Sequence, residues 1–345
     1  MTYVIAECGQ NHNGSLEMAR ALIDMCADPR PHGLGDAETV RPDAVKFTMR
    51  DLDAELTDEA WRAPYASMHA FGPTYGAHRQ HLELEHDDLV LMHDYARKLG
   101  LGFVLTMCAP SCLAVLDWLT VDYIKVASRD LTNIPLLEAI AETDVPVIVS
   151  TGMANAEDLD RALEVVSDAT ILHCVSEYPA EFDHLNLRRI QTLTEAYPTN
   201  RIGYSDHSPG IMAPIAAIAY GAEVIEKHVT LDRTLRGSDH AGSLERDGLY
   251  RMMRDIRHLE VAAWCPDRNR QLTQAAQSKL ERTCAAARPV WKGDEITEDK
   301  LVMLSPPGDG VLWRDRAQVL GVARQDIPQH ATILPAWVEP IPVRP

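Results

Sequence analysis

Two histidines that close consecutive hydrophobic segments give the sequence its clearest chemical pattern. His207 ends RIGYSDH and His228 ends EVIEKH, and a helix-like stretch of small residues separates the two segments. In a parallel α/β protein this spacing places both histidines at the carboxyl ends of neighbouring strands. Asp206, Glu226 and Asp239 are close by in sequence, and imidazoles beside carboxylates suit a divalent metal with open positions for water and substrate. We therefore predict a metal site, the alternative being that one histidine is a hydrogen-bonded core residue.

Lysines and hydroxyl side chains recur at the ends of the other hydrophobic segments. Lys46 lies in DAVKFTM and Lys125 in YIKVAS. Either lysine alone could simply pair with a neighbouring carboxylate, but the set fits a small phosphorylated carboxylate. A metal beside such an anion site suggests condensation of a phosphorylated nucleophile with an aldehyde, and a Schiff-base aldolase with Lys125 as nucleophile stays open. The accompanying hydroxyls are Thr106, Ser128, Ser150, Ser176 and Ser205.

Eight β-rich segments must position these side chains. Most alternate with segments of helical apolar spacing, including CLAVLDWL and HDDLVLMHDYARKLG, which predicts a (β/α)8 TIM barrel. The alternative is an open doubly wound sheet, but CGQNHNG after the first strand lacks the glycine spacing of a dinucleotide site. The predicted strands are Tyr3–Cys8, Asp43–Met49, Gly102–Cys108, Tyr123–Ser128, Val145–Thr151, Thr170–Ser176, Arg201–His207 and Glu223–Val229.

The remaining segments do not follow the alternation of strand and helix that predicts the barrel. Residues 27–43 are rich in Pro, Gly and Asp and indicate an inserted surface loop, while 51–86 is too long for a plain connection and could either cover the mouth or be a structural excursion. After about residue 285, short β-runs alternate with KGD and PPGDG turns. We predict a catalytic barrel over 1–265, a linker over 266–284 and a small β-rich domain over 285–345, which needs the barrel or a partner subunit to pack against.

Composition excludes several classes of protein. A net charge of −18 argues against nucleic acid or an anionic membrane as partner, because both require a basic surface. The seven cysteines form an odd set without metal-binding spacing, so we expect reduced, buried thiols. No run reaches the length of a membrane span and the N-terminus lacks a signal-peptide pattern, so we expect a cytoplasmic protein.

Taken together and in order, the motifs resemble the sialic acid synthase family, the phosphoenolpyruvate-condensing nonulosonate synthases with a C-terminal antifreeze-like (SAF) domain. The match covers nearly the whole chain, because KGDEIT and PPGDG extend it into the C-terminal region. The matching segments are IAECGQNHNGSLEMA, DAVKF, YIKVASRDLTNIPLLEAI, PVIVSTGMA, ILHCVSEYPAE, GYSDHSPG, GAEVIEKHVTLD and GSDHAGSLE.

The resemblance implies a metal-dependent transferase of carbohydrate biosynthesis that joins phosphoenolpyruvate to an aldose, giving a 2-keto-3-deoxy sugar acid and phosphate. It implies Mn2+ on His207 and His228, with Mg2+ or Co2+ as alternatives, and a swapped homodimer in which the partner's SAF domain covers each active site. By motif position, the catalytic residues would be Glu7, Lys46, Lys125 and Glu226, the last as base for the attacking water. Phosphoenolpyruvate would contact Lys46, Thr106, Lys125, Ser128, Ser150, Ser176 and Ser205, and the acceptor would contact Glu7, Asp130, Tyr178 and Asp239.

Several positions depart from the family pattern on the acceptor side. Thr48 replaces a common glutamine, Met107-Cys108 replaces a Pro-aromatic pair, and Asp130 is shorter than the glutamate of some members. An arginine found before the Pro-Gly turn of some SAF domains is absent from Ser305-Pro306-Pro307-Gly308, and Arg314 or Arg316 would have to replace it. We therefore predict an acceptor other than N-acetylmannosamine. The alternatives are the Lys125 aldolase and a non-catalytic sugar-acid-binding protein.

Overall fold

Eight parallel strands close into a barrel in the computed structural model, which describes residues 1–31, 39–264, 276, 279–305 and 309–340. Each strand pairs with its neighbours in chain order, and Tyr3–Glu7 closes the ring by pairing with both Ala44–Met49 and Val224–His228. This closure confirms the (β/α)8 barrel and excludes the open sheet. The strands are β1 Tyr3–Glu7, β2 Ala44–Met49, β3 Gly102–Met107, β4 Tyr123–Val126, β5 Val147–Ser150, β6 Thr170–Cys174, β7 Ile202–Asp206 and β8 Val224–His228.

Alternation along the strands builds two apolar layers. Successive side chains point to opposite faces of a strand, so one set fills the barrel and the other packs against the helices. Outward residues such as Phe47, Phe103 and Ile225 belong to the large core beneath the helices. The barrel interior is filled by Ile5, Ala44, Val104, Ile148, Leu172 and Val224, all fully buried.

The helices follow the apolar periodicity of the sequence. Ser15 caps the helix Leu16–Ala27 by accepting a hydrogen bond from the Met18 N–H at 3.2 Å, and Asn155 and Asp158 form a capping box at the helix Ala156–Val165. α9 ends before Gly221, whose φ of 102° favours glycine. The helices are α1 Leu16–Ala27, α2 Leu52–Glu55, α3 Asp58–Arg62, α4 Tyr75–Leu82, α5 His86–Lys98, α6 Ile134–Ala141, α7 Ala156–Val165, α8 Arg189–Ala196, α9 Met212–Ala219 and α10 Arg246–Trp264.

Three segments differ from a plain alternation of strand and α-helix. The segment around CLAVLDWL is a 3-10 helix, Pro110–Asp117, rather than an α-helix. Backbone donors there bond three residues back, as from Cys112 to Ala109, and Pro110 offers no N–H to the first turn. Residues 51–86 hold the short helices α2, α3 and α4. Of the predicted 27–43 loop, residues 32–38 lie outside the described residues, and Arg30–Pro31 pairs with Thr39–Val40.

The chain divides into two compact units, Met1–Ala263 and Trp264–Pro345. The second unit is β-rich, as predicted, and has a small core of its own that includes Val290, Ile296 and Ile333. Its first strand begins at Thr283, so the last two residues of the predicted 266–284 linker belong to a sheet. The strands of this unit are β9 Thr283–Ala286, β10 Glu295–Ile296, β11 Leu301–Leu304, β12 Gly321–Ala323 and β13 Val338–Glu339.

The described cysteines are unbridged, and the described helices are not membrane spans. Six cysteines are buried free thiols, as predicted, while Cys265 lies outside the described residues. No helix in the described part of the chain has the length and apolar character needed to cross a membrane. The cytoplasmic location stays a prediction.

Candidate active site

A layer of polar side chains lies directly above the apolar filling of the barrel. Alternation puts one inward-facing residue of each strand just above the apolar filling, and in this chain all eight are polar or sulfur-containing. Together with the following loops they line a cavity of about 320 Å³. The inward residues of the layer are Glu7, Lys46, Thr106, Lys125, Ser150, Cys174, Ser205 and Glu226.

Nearly all of the residues predicted from sequence meet in this cavity. Asp130 does not line it. That carboxylate, with the 3-10 turn Ser128–Asp130, borders a second cavity beside the first. The predicted residues in the first cavity are Glu7, Lys46, Thr106, Lys125, Ser128, Ser150, Ser176, Tyr178, Ser205, His207, Glu226, His228 and Asp239.

Lys46 contacts three other side chains of the polar layer. Its Nζ donates to Thr106 Oγ1 at 2.9 Å, forms an ion pair with Glu7, and lies 3.7 Å from Glu226 Oε1. Ser205 Oγ donates to the same Glu226 oxygen at 3.1 Å. Burial disfavours the charged lysine, but the carboxylates of Glu226 and Glu7 outweigh that penalty and raise its pKa. Lys46 is therefore a fixed positive charge in the floor of the cavity.

The carboxylates of Glu7 and Glu226 have opposite pKa shifts. Burial dominates at Glu7 and raises its pKa to about 7 despite the nearby Lys46. Burial also opposes ionisation of Glu226, but Lys46, Lys125 and both histidines together lower its pKa to about 2. Glu226 Oε2 is buried without a hydrogen-bond partner among the described residues, whereas Glu7 Oε2 is the oxygen paired with Lys46 Nζ. Two carboxylates held at different pKa values are the arrangement expected of an acid–base pair.

Lys125 is the second buried cation. Its Nζ donates to the Val126 carbonyl at 2.9 Å, and burial lowers its pKa, with the nearby positive charge of Lys46 adding to the effect. On the loops above, Ser128 Oγ accepts from the Gly152 N–H at 3.0 Å. A Cβ at Gly152 would lie 2.4 Å from Ser176 Oγ, so only glycine lets these hydroxyls approach the backbone. This side of the cavity combines positive charge with hydrogen-bond donors.

The two predicted metal ligands lie side by side on the opposite wall. The ring centroids of His207 and His228 are 5.5 Å apart, and Tyr178 packs 4.0 Å from the His207 ring. His207 Nδ1 donates to the Val175 carbonyl at 2.6 Å, so in the neutral ring Nε2 carries the lone pair. Burial lowers the pKa of His228 to about 4, which keeps its ring neutral.

Two observations test whether this wall suits a divalent metal. His228 Nδ1 is buried without a hydrogen-bond partner among the described residues, 4.0 Å from Asp239 Oδ2. Neutral imidazoles with free ring nitrogens are metal ligands, so the donor set fits. No group of three or more His, Cys, Asp or Glu converges on a metal-sized space in the described ranges, so water and substrate would have to supply the remaining ligands.

Asp206, which the sequence placed near the predicted metal site, lies behind the cavity wall. Its carboxylate accepts from Lys227 Nζ at 2.6 Å, from Ser208 Oγ at 2.8 Å and from Tyr204 OH at 2.9 Å, and it does not line the cavity. Because side chains alternate along a strand, Asp206 and Lys227 face away from the barrel axis while Ser205 faces the cavity. Asp206 is therefore a structural residue behind the histidines rather than part of the cavity wall.

Several residues of the cavity were not predicted from sequence. Cys174 lies 3.8 Å from His207 Nδ1, and it could have been found as the inward residue at the end of β6. The guanidinium-bearing residues Arg50, Arg79 and Arg129 line the outer part of the cavity, with Gln10 beside them. Their positions follow from how the 51–86 segment and the loops fold over the mouth, which strand periodicity does not predict.

Comparison with known proteins settles the family. Residues 34–265 match the model of the NeuB family, more than half of the chain. The chain belongs to the NeuB family. It is 34% identical over 308 residues to N-acetylneuraminate-9-phosphate synthase from Homo sapiens, covering 87% of this chain and 82% of that protein. It is also 34% identical over 319 residues to N,N'-diacetyllegionaminic acid synthase from Campylobacter jejuni, covering 88% and 90%.

A solved structure agrees with the assignment to the NeuB family. N-acetylneuraminic acid synthetase from Leptospira borgpetersenii superposes with a TM-score of 0.64 at 32% identity, covering 81% of this chain and 92% of that one. The resemblance found in the sequence is thus confirmed. This NeuB-family protein is an enzyme, a phosphoenolpyruvate-dependent transferase of the sialic acid synthase type, which removes the non-catalytic alternative.

The resemblance to the sialic acid synthase family left open whether Arg314 or Arg316 replaces the arginine that is missing from the C-terminal unit. Pro306, Pro307 and Gly308 lie outside the described residues. Arg314 lies 3.5 Å from Asp315 and is largely exposed, while Arg316 pairs with Glu298 at 2.7 Å and packs on Trp313. Exposed ion pairs of this kind contribute little to stability. A substrate-binding role for either arginine stays a prediction.

Proposed function

We propose that this enzyme condenses phosphoenolpyruvate with an aldose, with the help of a divalent metal, to give a 2-keto-3-deoxy sugar acid and phosphate. The observation that carries the proposal is the division of the cavity into two walls. Lys46, Lys125 and several hydroxyls form one wall, and His207 and His228 form the other. A trianionic substrate suits the first wall, and a polarised carbonyl oxygen suits the second.

Phosphoenolpyruvate would be held by the lysine wall. Lys46 and Lys125 supply fixed charge, and Thr106, Ser150 and Ser205 supply short hydroxyl donors. Ser150 Oγ is buried without a hydrogen-bond partner in the described structure, as expected of a hydroxyl that hydrogen-bonds to a bound ligand. The hydroxyls of Ser128 and Ser176 continue this surface around Gly152.

The histidine wall would orient the acceptor aldehyde. A divalent cation such as Mn2+ held by His207 and His228 would supply a Lewis acid next to the aldehyde oxygen. Tyr178 packs against both rings and fixes their orientation. Asp239 lies beside His228, so its carboxylate is placed to accept hydrogen bonds from acceptor hydroxyls. Glu7, with a pKa of about 7, can donate or accept a proton at neutral pH.

The reaction then follows from where charge develops. The C2–C3 double bond of phosphoenolpyruvate attacks the aldehyde carbon through C3, the aldehyde C=O π bond opens and its oxygen takes up a proton, and positive charge appears at C2. Water adds to C2 and loses a proton, and the tetrahedral carbon expels inorganic phosphate by breaking the C–O bond. Glu226 is the candidate base: it is ionised in the free site and has a buried oxygen without a hydrogen bond. Phosphoenolpyruvate beside Lys46 and Lys125 would offset the charges that depress its pKa, making Glu226 more basic.

The first experiment measures phosphate release from phosphoenolpyruvate with a panel of aldoses, with and without chelator. We expect chelator to abolish turnover and Mn2+ to restore it. His228→Ala should abolish turnover and also remove the rise in melting temperature that Mn2+ gives the metal-free protein. Turnover that is insensitive to chelator would contradict the metal proposal.

A Schiff-base aldolase is the second candidate, and one observation favours it. Burial lowers the pKa of Lys125, which makes its amine more nucleophilic. Borohydride reduction during turnover would trap a covalent adduct on Lys125, detected as a mass increase of its peptide. Full activity after borohydride treatment, with no mass change, would remove this candidate.

We also propose that the second unit is a SAF domain and that the enzyme is a homodimer in which the partner's SAF domain covers each active site. The support is the resemblance of KGDEIT and PPGDG to the family's C-terminal domain, together with the small apolar core of that unit. A core of this size gains stability from a packing partner.

A further inference from the structure

A buried ion pair joins the ends of β7 and β8 behind the two histidines. Lys227 Nζ lies 2.6 Å from Asp206 Oδ2, and neither side chain is exposed to solvent. Both side chains face away from the barrel axis, and neither residue lines the cavity described above. The pair is therefore a charged group in the protein core that takes no direct part in the proposed reaction.

The ion pair connects two positions that are partners in the sheet. Across the parallel strands β7 and β8, Asp206 is the register partner of Lys227. The next residue in each segment is a histidine, so the same register sets His207 beside His228. A slip of one residue would turn one imidazole away from the cavity, because successive side chains point to opposite faces of a strand. The ion pair thus holds the register that brings the two imidazoles together.

Further hydrogen bonds from the pair fix the backbone on both sides of His207. Asp206 Oδ1 accepts from the Ser208 N–H at 3.1 Å and from Ser208 Oγ at 2.8 Å, and Lys227 Nζ donates to the Ser208 carbonyl. Tyr204 OH donates to the same Asp206 oxygen at 2.9 Å. Because Asp206 and Ser208 flank His207 in sequence, this buried network holds the histidine backbone from both directions.

Stability alone does not account for a network of this kind. Two buried charges lose their hydration, and well-packed apolar residues of similar volume often give equal or greater stability. A charged, fully hydrogen-bonded network instead favours one defined geometry, because its bonds are satisfied together only in that geometry. The geometry that this network defines is the separation of His207 and His228, whose ring centroids are 5.5 Å apart.

We propose that Asp206 and Lys227 are positioning residues, which preset the distance between His207 and His228 at which both imidazoles bind one divalent cation. This inference rests on the proposed metal site and deepens it. Because the pair lies outside the cavity, its removal should act through metal affinity rather than through substrate binding. Residues that support metal ligands from behind are typically worth about 10- to 100-fold in metal affinity.

Titration of the metal-free protein with Mn2+, followed by the electron paramagnetic resonance signal of free Mn2+, tests the inference. Lys227→Met should raise the Kd for Mn2+ by about tenfold or more. Turnover should recover towards the wild-type value at saturating Mn2+, and KM for phosphoenolpyruvate should stay within about twofold, because the lysine wall is unchanged. An unchanged Kd in folded Lys227→Met protein would overturn the inference and leave the metal proposal intact. Absence of Mn2+ binding by wild type would contradict the metal proposal and this inference with it.

Two further variants separate positioning from stability, which urea unfolding measures for each protein. Lys227→Met combined with Asp206→Leu should regain stability without regaining Mn2+ affinity, because the bonds to Ser208 are still missing. The matched control is Leu89→Ala, a fully buried position on α5, which packs against β3 across the barrel from β7. This control should lose stability through the cavity it creates and still bind Mn2+ as wild type does. Recovery of Mn2+ affinity in the double variant, or an equal loss of affinity in Leu89→Ala, would refute the positioning role.

Discussion

Glu7 and Glu226 contact the same ammonium group, yet their surroundings separate their acidities. Burial outweighs the charge of Lys46 at Glu7 and raises its pKa, whereas at Glu226 the charges of Lys46, Lys125 and both histidines outweigh burial and lower its pKa. At neutral pH one carboxyl is therefore partly protonated and the other is ionised. An enzyme that must deprotonate water and also handle a proton on a sugar oxygen needs both states at once.

His12 provides a pH-dependent contribution to stability outside the catalytic set. It is buried beside Phe47, and burial lowers its pKa to about 4 from an ordinary 6.5. The unfolded chain thus binds more protons than the folded one between these values. The contribution of His12 is complete above about pH 6.5 and falls as pH drops towards 4, by about 3 kcal/mol in total.

Urea unfolding at several pH values checks this prediction. Wild type should lose more stability than His12→Asn between pH 6.5 and 4.5, because asparagine binds no proton in that range. The variant will be less stable at pH 7.5, since the ring fills a buried space and accepts from the Gly14 N–H at 3.1 Å. Parallel curves for the two proteins would mean that His12 does not titrate as described.

At the scale of elements, β7 and β8 are joined by a buried ion pair behind the two histidines. Lys227 on β8 and Asp206 on β7 are fully buried and directly precede His228 and His207. Lys227→Met should lower the free energy of unfolding by about 3 to 5 kcal/mol, because the Asp206 carboxylate would stay buried without its cation. Urea denaturation with an unchanged m-value measures the loss.

Two further variants control for that prediction. Lys227→Met combined with Asp206→Leu should be more stable than Lys227→Met alone, because both buried charges are then gone. Arg62→Gln breaks an exposed ion pair and should change stability by no more than about 0.5 kcal/mol. A loss below about 1 kcal/mol for Lys227→Met would show that the pair is not the tie between these strands.

Strand periodicity made most of the fold and the polar layer at the barrel mouth predictable. Once eight strands alternate with helices, the inward residue at each carboxyl end is fixed by counting, which gave Lys46, Lys125 and Glu226 their common position. The same rule, applied strictly, would have excluded Asp206, which is one residue out of phase with Ser205. The 3-10 helix at Pro110 was missed because apolar spacing over so few residues does not distinguish it from an α-helix.

At the scale of the whole molecule, the proposed dimer makes a prediction of its own. Analytical ultracentrifugation should give twice the chain mass of 38.3 kDa. If the partner's SAF domain covers the site, saturating phosphoenolpyruvate should slow hydrogen exchange in peptides of β9–β13 as well as in the barrel strands. A monomer, or exchange that changes in the barrel alone, would contradict the covered-site arrangement.

The acceptor half of the site was the least predictable part of the molecule. Arg50 follows a strand end, Arg129 lies in a 3-10 turn, and Arg79 lies on a helix within a long irregular connection. No period relates three such positions, and only the folded loops bring them to one wall. The sequence did indicate that this half was altered, through Thr48 and Cys108, but it did not indicate the sign of the charge.

The shared wall of the two cavities also has a pharmacological consequence. A compound that joins an enolpyruvate-like acid to a short polyol could occupy both spaces at once, and linking the two ends would make the second contact intramolecular. Such a bisubstrate inhibitor would take its potency from the lysine wall and from contacts with the arginines that line both cavities.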